Sequence, residues 1–358
     1  MAPLMTVGTR KGLFLFSHTG DDWQLAATAH AGIPVVYSMV DPRNNRLWAS
    51  LDHGHWGQKL HYSDDGGGSW TEVPVPAFPD GTVDKDGNPV KLERIWCIVP
   101  GRPEEPDTLY LGTHPGGLFV SRDGGQTFAL VQSLWDHPSR PDHWFGGGFD
   151  SPGICSILVH PDRPGVMMVA VSCGGVFLTE DGMETWVGRN QGLQAEFLPD
   201  PAAEFGHDPH CMAWCAADPN EIWQQNHCGI FRSTDFARSW QKVSEPGGPA
   251  HFGFAIVAGR PGEAWVIPAV SDEMRIAVDG CLQVCHTEDG GTSWQSRQAG
   301  LPTQNAHDLV FRHAFDRSGQ HLAFGTTTGN LYTSSDGGTS WQSRGHNWPP
   351  VYSVCFRS

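Results

Sequence analysis

Apolar and polar residues alternate along this chain in short runs, and Gly, Pro, Asp or Asn cuts each run off. A period of two with such punctuation is the pattern of short, half-buried strands. One stretch shows the grammar. Residues 95–99 read as a first strand, 108–112 as a second, 118–120 as a third and 128–131 as a fourth, with turn residues between them. Later stretches repeat it: 157–159 then 166–170, 254–257 then 264–266, 309–311 then 322–324. No segment carries a convincing helical period.

The gap between third and fourth strand holds a recurring octad. It reads SDDGGGSW at 63–70, SRDGGQTF at 121–128, TEDGMETW at 179–186, STDFARSW at 233–240, TEDGGTSW at 287–294 and SSDGGTSW at 334–341. A shorter, worn copy, SHTGDDW, occupies 17–23. The Asp carboxylate can accept backbone N–H groups further along, which turns the chain. The Gly permits positive φ; Met183 and Ala237 replace it in two copies. The closing aromatic pins the turn to its neighbour. These rings sit at 23, 70, 128, 186, 240, 294 and 341, spaced by 47, 58, 58, 54, 54 and 47 residues. Four-stranded repeats of that length predict a β-propeller.

The ends set the count. Residues 4–7 read as a second strand, and 351–355 as a lone first strand. Together they complete a blade built from residues 1–27 and 350–358, the other six running over about 35–75, 94–133, 154–190, 209–245, 251–299 and 305–345. The expectation is an all-β, single seven-bladed propeller in which each unit buries its core against its neighbours.

Composition narrows the function. A formal charge of −16 argues against nucleic acid or an anionic membrane as partner. Nine cysteines form no paired framework. Cys211 and Cys215 are expected on one face of a strand, as are Cys281 and Cys285, so neither pair should close a disulfide. Buried reduced thiols and a cytoplasmic location are the expectation. The N-terminus runs straight into strand pattern, with no signal-peptide or membrane-span pattern.

The octads resemble Asp-box (BNR) repeats, found in sialidases, some glycoside hydrolases, sortilin-type receptors and the photosystem II stability/assembly factor. Over its whole length the chain resembles bacterial Asp-box propellers related to that assembly factor and often labelled exo-α-sialidase or glycosyl hydrolase. The matching segments include GTRKGLF (8–14), GHWGQKLH (54–61), WFGGG (144–148), VSCGGVF (171–177) and GIFRSTD (229–235). The resemblance implies that the octads lie on the face away from the ligand site. It does not imply a true sialidase. The arginine-bearing R-I-P motif is absent, and the five tyrosines offer no evident Tyr–Glu pair.

The opposite face is built from loops joining successive blades and loops joining second to third strands. Loops on a rigid scaffold carry function. Twelve of the 18 histidines are expected there: His30, His53, His55, His114, His137, His143, His207, His210, His227, His251, His307 and His346. The longest loops, 74–94, 133–153, 190–209 and 268–279, are expected on that face too. Candidate catalytic groups are Asp150, Asp208, His210, His227, Asp272, Glu273 and Asp308, with Asp308 expected to begin an inner strand. A His and a carboxylate converging on a pocket suit acid–base work near neutral pH. Candidate ligand-binding residues are Arg10, Lys11, His55, Trp56, Lys59, His137, Trp144, Phe145, Cys173 and Arg275. No cofactor is certain. The spacings His53-x-His55 and His207-x-x-His210 leave open a divalent transition metal on His55, His210 and His227. The reading is an intracellular hydrolase- or lyase-like enzyme acting on a small polar or sugar-derived molecule in the channel mouth. The alternative is a non-catalytic scaffold with a protein partner.

Overall fold

The computed structural model describes residues 4–20 and 22–357. Residues 1–3, 21 and 358 of the expected shared blade, one of them also in the worn octad, lie outside the described residues. Seven four-stranded antiparallel sheets form a seven-bladed β-propeller. Blade one is closed by both ends of the chain, in the order Val351–Phe356, Leu4–Thr9, Gly12–Thr19, Asp22–Ala29. In the other six, four consecutive strands run outward. Their innermost strands are Val35–Val40 (blade two), Arg94–Pro100 (three), Gly153–Val159 (four), Pro209–Trp214 (five), Gly253–Ala258 (six) and Phe315–Ser318 (seven).

The octads are the turns between third and fourth strands, and their chemistry repeats. Asp65 Oδ1 accepts from Ser63 Oγ (2.8 Å) and Ser69 N (2.9 Å), and Oδ2 accepts from Ser69 Oγ (2.7 Å). Asp123, Asp181, Asp235, Asp289 and Asp336 do the same in their turns. The fifth position holds positive φ in all six full octads, including Met183 (75°) and Ala237 (55°). It also presses on the preceding blade. A Cβ on Gly67 would meet Leu15 Cδ1 at 2.3 Å, and one on Gly125 would meet Trp48 Cη2 at 2.5 Å. The closing indoles reach backward likewise: Trp240 Nε1 donates to Arg189 O (2.7 Å) and Trp294 Nε1 to Val243 O (2.8 Å). Trp48, Trp223 and Trp265, fully buried on second strands, fill the spaces between blades.

Three local expectations change. Residues 309–311 are not a strand; blade seven begins at Phe315. Asp308 therefore begins no inner strand. Its buried carboxylate accepts from Thr328 Oγ1 (2.5 Å) and Asn330 Nδ2 (2.7 Å), which fixes a surface turn. Cys215 follows its strand and Cys281 lies in a loop, so neither shares a strand face with its partner; all nine cysteines are free. Finally, the 133–153 loop contains two short helices, Gln132–Trp135 and Arg140–His143. No helix among the described residues is long and apolar enough to cross a membrane.

Candidate functional site

Six of the seven innermost strands carry a β-bulge near their start. One extra residue faces the second strand at Val36, Trp96, Cys155, His210, the pair Phe254–Ala255, and Tyr352. A bulged residue leaves the ladder and its side chain is re-aimed. Val36, Trp96, His210, Phe254 and Tyr352 all point into one cavity of about 640 Å3. Blade seven achieves the same result differently. Its entry segment bridges in parallel to the closing strand, His313 against Ser353, with Val354 N donating to His313 O (2.7 Å). That places Arg312 and His313 on the cavity wall. The rest of the wall comes from second-to-third-strand loops (Arg10, Asp52, His114, Cys173, His227, Asp272, Arg275) and from the 133–153 and 190–209 loops. No octad residue lines it, so the cavity opens opposite the Asp turns.

At its edge lies a tight polar cluster. Asp208 is buried, with Oδ1 accepting from Ser172 Oγ (2.7 Å) and Cys173 N (3.1 Å). Oδ2 faces His210 Nε2 at 3.3 Å and His227 Nδ1 at 3.5 Å. His210 is 1 % exposed, stacks on Phe254, and its Nδ1 lies 2.6 Å from Gly253 O. Burial alone would raise the Asp208 pKa. The facing imidazoles and Arg312 reverse that and hold it well below the carboxylate range. Burial lowers the pKa of His210, against the pull of Asp208. Contact with Asp208 raises that of the more open His227.

Around this cluster, Arg312 lies over Trp96 (4.8 Å) and Phe254 (5.2 Å), and its buried Nε has no hydrogen-bond partner among the described residues. His313 donates from Nε2 to Cys155 O (2.7 Å), and burial lowers its pKa to about 4, so it is neutral. His114 is held by Glu93 (2.9 Å) and Ser151 O (2.7 Å). Arg94 faces Asp52 at 3.8 Å, and Arg275 pairs with Asp272 and covers Phe254 at 5.3 Å.

Of the residues expected from sequence, Asp208, His210, His227, Asp272, Arg10, Phe145, Cys173 and Arg275 line the cavity. The others do not. Asp150 and Glu273 are exposed beside it, and Lys11 is exposed. His55 and Trp56 form an exposed turn, and Lys59 pairs with Glu72 at 2.6 Å. His137 bonds Ser139 Oγ (2.8 Å), and Trp144 is buried in the core donating to that same oxygen (3.1 Å). Only three of the twelve expected histidines, His114, His210 and His227, reach the cavity, and His313 joins them. His207 is tied to Ala203 O (2.7 Å), and neither it nor His55 belongs to the metal-capable group, whose third member is Asp208. Glycines 146 and 147 serve packing: a Cβ on Gly147 would meet Cys173 Sγ at 2.5 Å. Arg312 and His313 were invisible because the apolar run at 309–311 imitates a strand and hides the entry segment behind it.

Fold and site thus define a seven-bladed propeller with one polar, aromatic-walled cavity at one mouth of the ring. No family model matches the chain. It is similar to a probable oligoxyloglucan-reducing end-specific xyloglucanase of Neosartorya fischeri, 22% identical over 242 residues, 59% of this chain and 28% of that protein. It is also similar to a xyloglucanase of a Paenibacillus species, 28% identical over 183 residues, 50% of this chain and 15% of that protein. The chain thus spans well under a third of either relative. Among solved structures it resembles an ancestral GH74 enzyme (TM-score 0.59, 15% identity, 90% of this chain and 38% of that one). It also resembles YCF48 bound to D1 peptide (TM-score 0.53, 14% identity, 87% and 83%). At these identities the structural likeness is one of fold.

Proposed function

We propose that the cavity binds a small anionic polar molecule, sugar-derived in the simplest case, and that the protein is a hydrolase- or lyase-like enzyme acting on it. The observation that carries this reading is Arg312. A guanidinium on the cavity wall, set over the Trp96 and Phe254 rings and with no carboxylate within ion-pair distance among the described residues, is costly unless something completes it. A planar fork of donors suits a carboxylate or another oxyanion. Asp208, His210 and His227 stand close by, which gives the site chemistry as well as a grip. Trp96, Phe254 and Tyr352 supply apolar faces for a ring. The curated relatives are named xyloglucanases, which favours hydrolysis among these chemistries.

The test is a thermal-shift and calorimetric screen of neutral sugars against uronic and other sugar acids. Anionic compounds are expected to bind, and Arg312→Gln to weaken them roughly 10- to 100-fold, the worth of a charged hydrogen bond. Equal binding of neutral and anionic compounds, or no effect of Arg312→Gln, would overturn the reading. Once a substrate is found, His227→Gln should abolish turnover while leaving the melting temperature measured in chelator nearly unchanged.

A second reading, a non-catalytic scaffold for a protein partner, has one observation of its own. Phe149, Phe197 and Met274, around the mouth, are 37%, 42% and 53% exposed. One structure of the same fold holds a peptide. A stoichiometric protein recovered with the chain, and lost on Phe197→Asp, would favour it.

A further inference from the structure

We propose that Asp208, His210 and His227 form a mononuclear site for a divalent transition ion of the zinc class. This deepens the reading of the same cavity as the functional site. The argument begins with His210. Its Nδ1 is 2.6 Å from Gly253 O, which can only accept, so Nδ1 carries a proton. A neutral ring then turns the lone pair of Nε2 onto the Asp208 carboxylate, 3.3 Å away. That arrangement repels unless a cation stands between them. A metal-bound imidazole has this second-shell pattern, with the distal N–H given to a carbonyl. Asp208 is oriented likewise: Ser172 and Cys173 occupy Oδ1 and leave Oδ2 facing both rings.

The distances favour an ion over a proton. Charge-assisted hydrogen bonds close to about 2.7–2.9 Å. The two separations here are 3.3 and 3.5 Å. Ligands at about 2.0–2.1 Å from a tetrahedral centre sit roughly 3.3–3.4 Å apart. All three ligand atoms lie within 4.8 Å of one another. Two imidazoles and a carboxylate are a borderline donor set suited to zinc. Three protein ligands leave a fourth position on the cavity, where an ion generates hydroxide or polarises a carbonyl.

Two other clusters fail the same test. In Glu263–His286–Glu288, His286 Nδ1 accepts from Arg297 (2.7 Å), so its Nε2 carries the proton toward Glu263 and the ring has no lone pair left for an ion. In Glu93–His114–Ser151, His114 Nε2 faces Ser151 O at 2.7 Å, nearer than Ser151 Oγ at 3.3 Å, so it is no base for the hydroxyl.

The experiment uses the full chain without a His tag, stripped with chelator, then titrated with Zn(II) or Co(II). One equivalent is expected to bind, Zn(II) to raise the melting temperature, and Co(II) to give visible absorption of four-coordinate type. His227→Gln, at a half-buried position that should still fold, is expected to weaken Zn(II) binding by more than about 100-fold, beyond the usual effect of losing a supporting contact. Glu263→Gln should leave it unchanged. Absence of both stoichiometric binding and the Co(II) spectrum, or a His227→Gln titration like the parent's, would overturn the site. Anion binding in chelator separates the two proposals. If it persists and depends on Arg312 while no metal binds, the metal site alone falls. If Zn(II) binds one to one and Arg312→Gln changes nothing, the anion reading alone falls.

Discussion

At the scale of single residues, this protein stabilises unfavourable conformations and charges by local pairing. Met183 and Ala237 accept positive φ because the Asp181 and Asp235 turns around them are fully hydrogen-bonded. The octad carboxylates are held low by their turn donors: Asp123, Asp181 and Asp289 sit at about 2. Asp316 is the opposite case. Burial raises its pKa to about 6, although Phe356 N (2.7 Å) and Arg317 pull it down. A carboxyl with a raised folded pKa binds protons more readily folded than unfolded between about pH 4 and 6. Its contribution therefore falls as pH rises through that window and stays low above it. Asp316→Asn keeps an acceptor for Phe356 N without the charge. Its melting temperature is expected to exceed the parent's by an amount that grows from pH 4 to pH 7, worth at most about 3 kcal/mol. A gap that shrinks with pH in melts across this range would contradict the assignment.

At the scale of elements, blades are joined by polar clamps as well as aromatics. Arg43, in the turn after the first strand of blade two, pairs with buried Asp41 (2.6 Å). It also reaches into blade three, donating to Glu105 O (2.6 Å) and Thr108 O (2.9 Å). Glu221 plays the matching part between blades five and six, accepting from Trp223 Nε1, Gly262 N and Arg232, each at 2.8 Å. Removing one partner of a buried pair leaves the other charge uncompensated. Arg43→Ala is expected to destabilise by about 3–5 kcal/mol in denaturant melts. A loss below about 1 kcal/mol, the value of a surface pair, would show that the clamp is solvated.

At the scale of the whole molecule, closure matters most. The strand Val351–Phe356 pairs with Leu4–Thr9, and without it the latter becomes an open edge in the middle of the ring. It also supplies Tyr352 to the cavity and the partner for His313. Ending the chain at Pro350 is expected to yield aggregated protein on size exclusion and to abolish a single cooperative melt. A monomeric, cooperatively melting truncation would mean that the ring holds without its clasp.

The strands at the two ends pair across the length of the chain, and were legible because each lacks the partners that the repeat demands. The period of two and the octads determined the blades by themselves, because each depends on residues close in sequence. Asp208, His210 and His227 were legible for the same reason: two neighbours at a strand start, and one in the adjoining loop. Arg312, Trp96 and Phe254 were not. Their side chains enter the cavity through bulges and a displaced strand start, which alter register by single residues without changing composition. Which of the many loop histidines meet was likewise decided only by the ring, since groups near residues 10, 94, 208 and 312 become neighbours through the curvature of seven packed sheets.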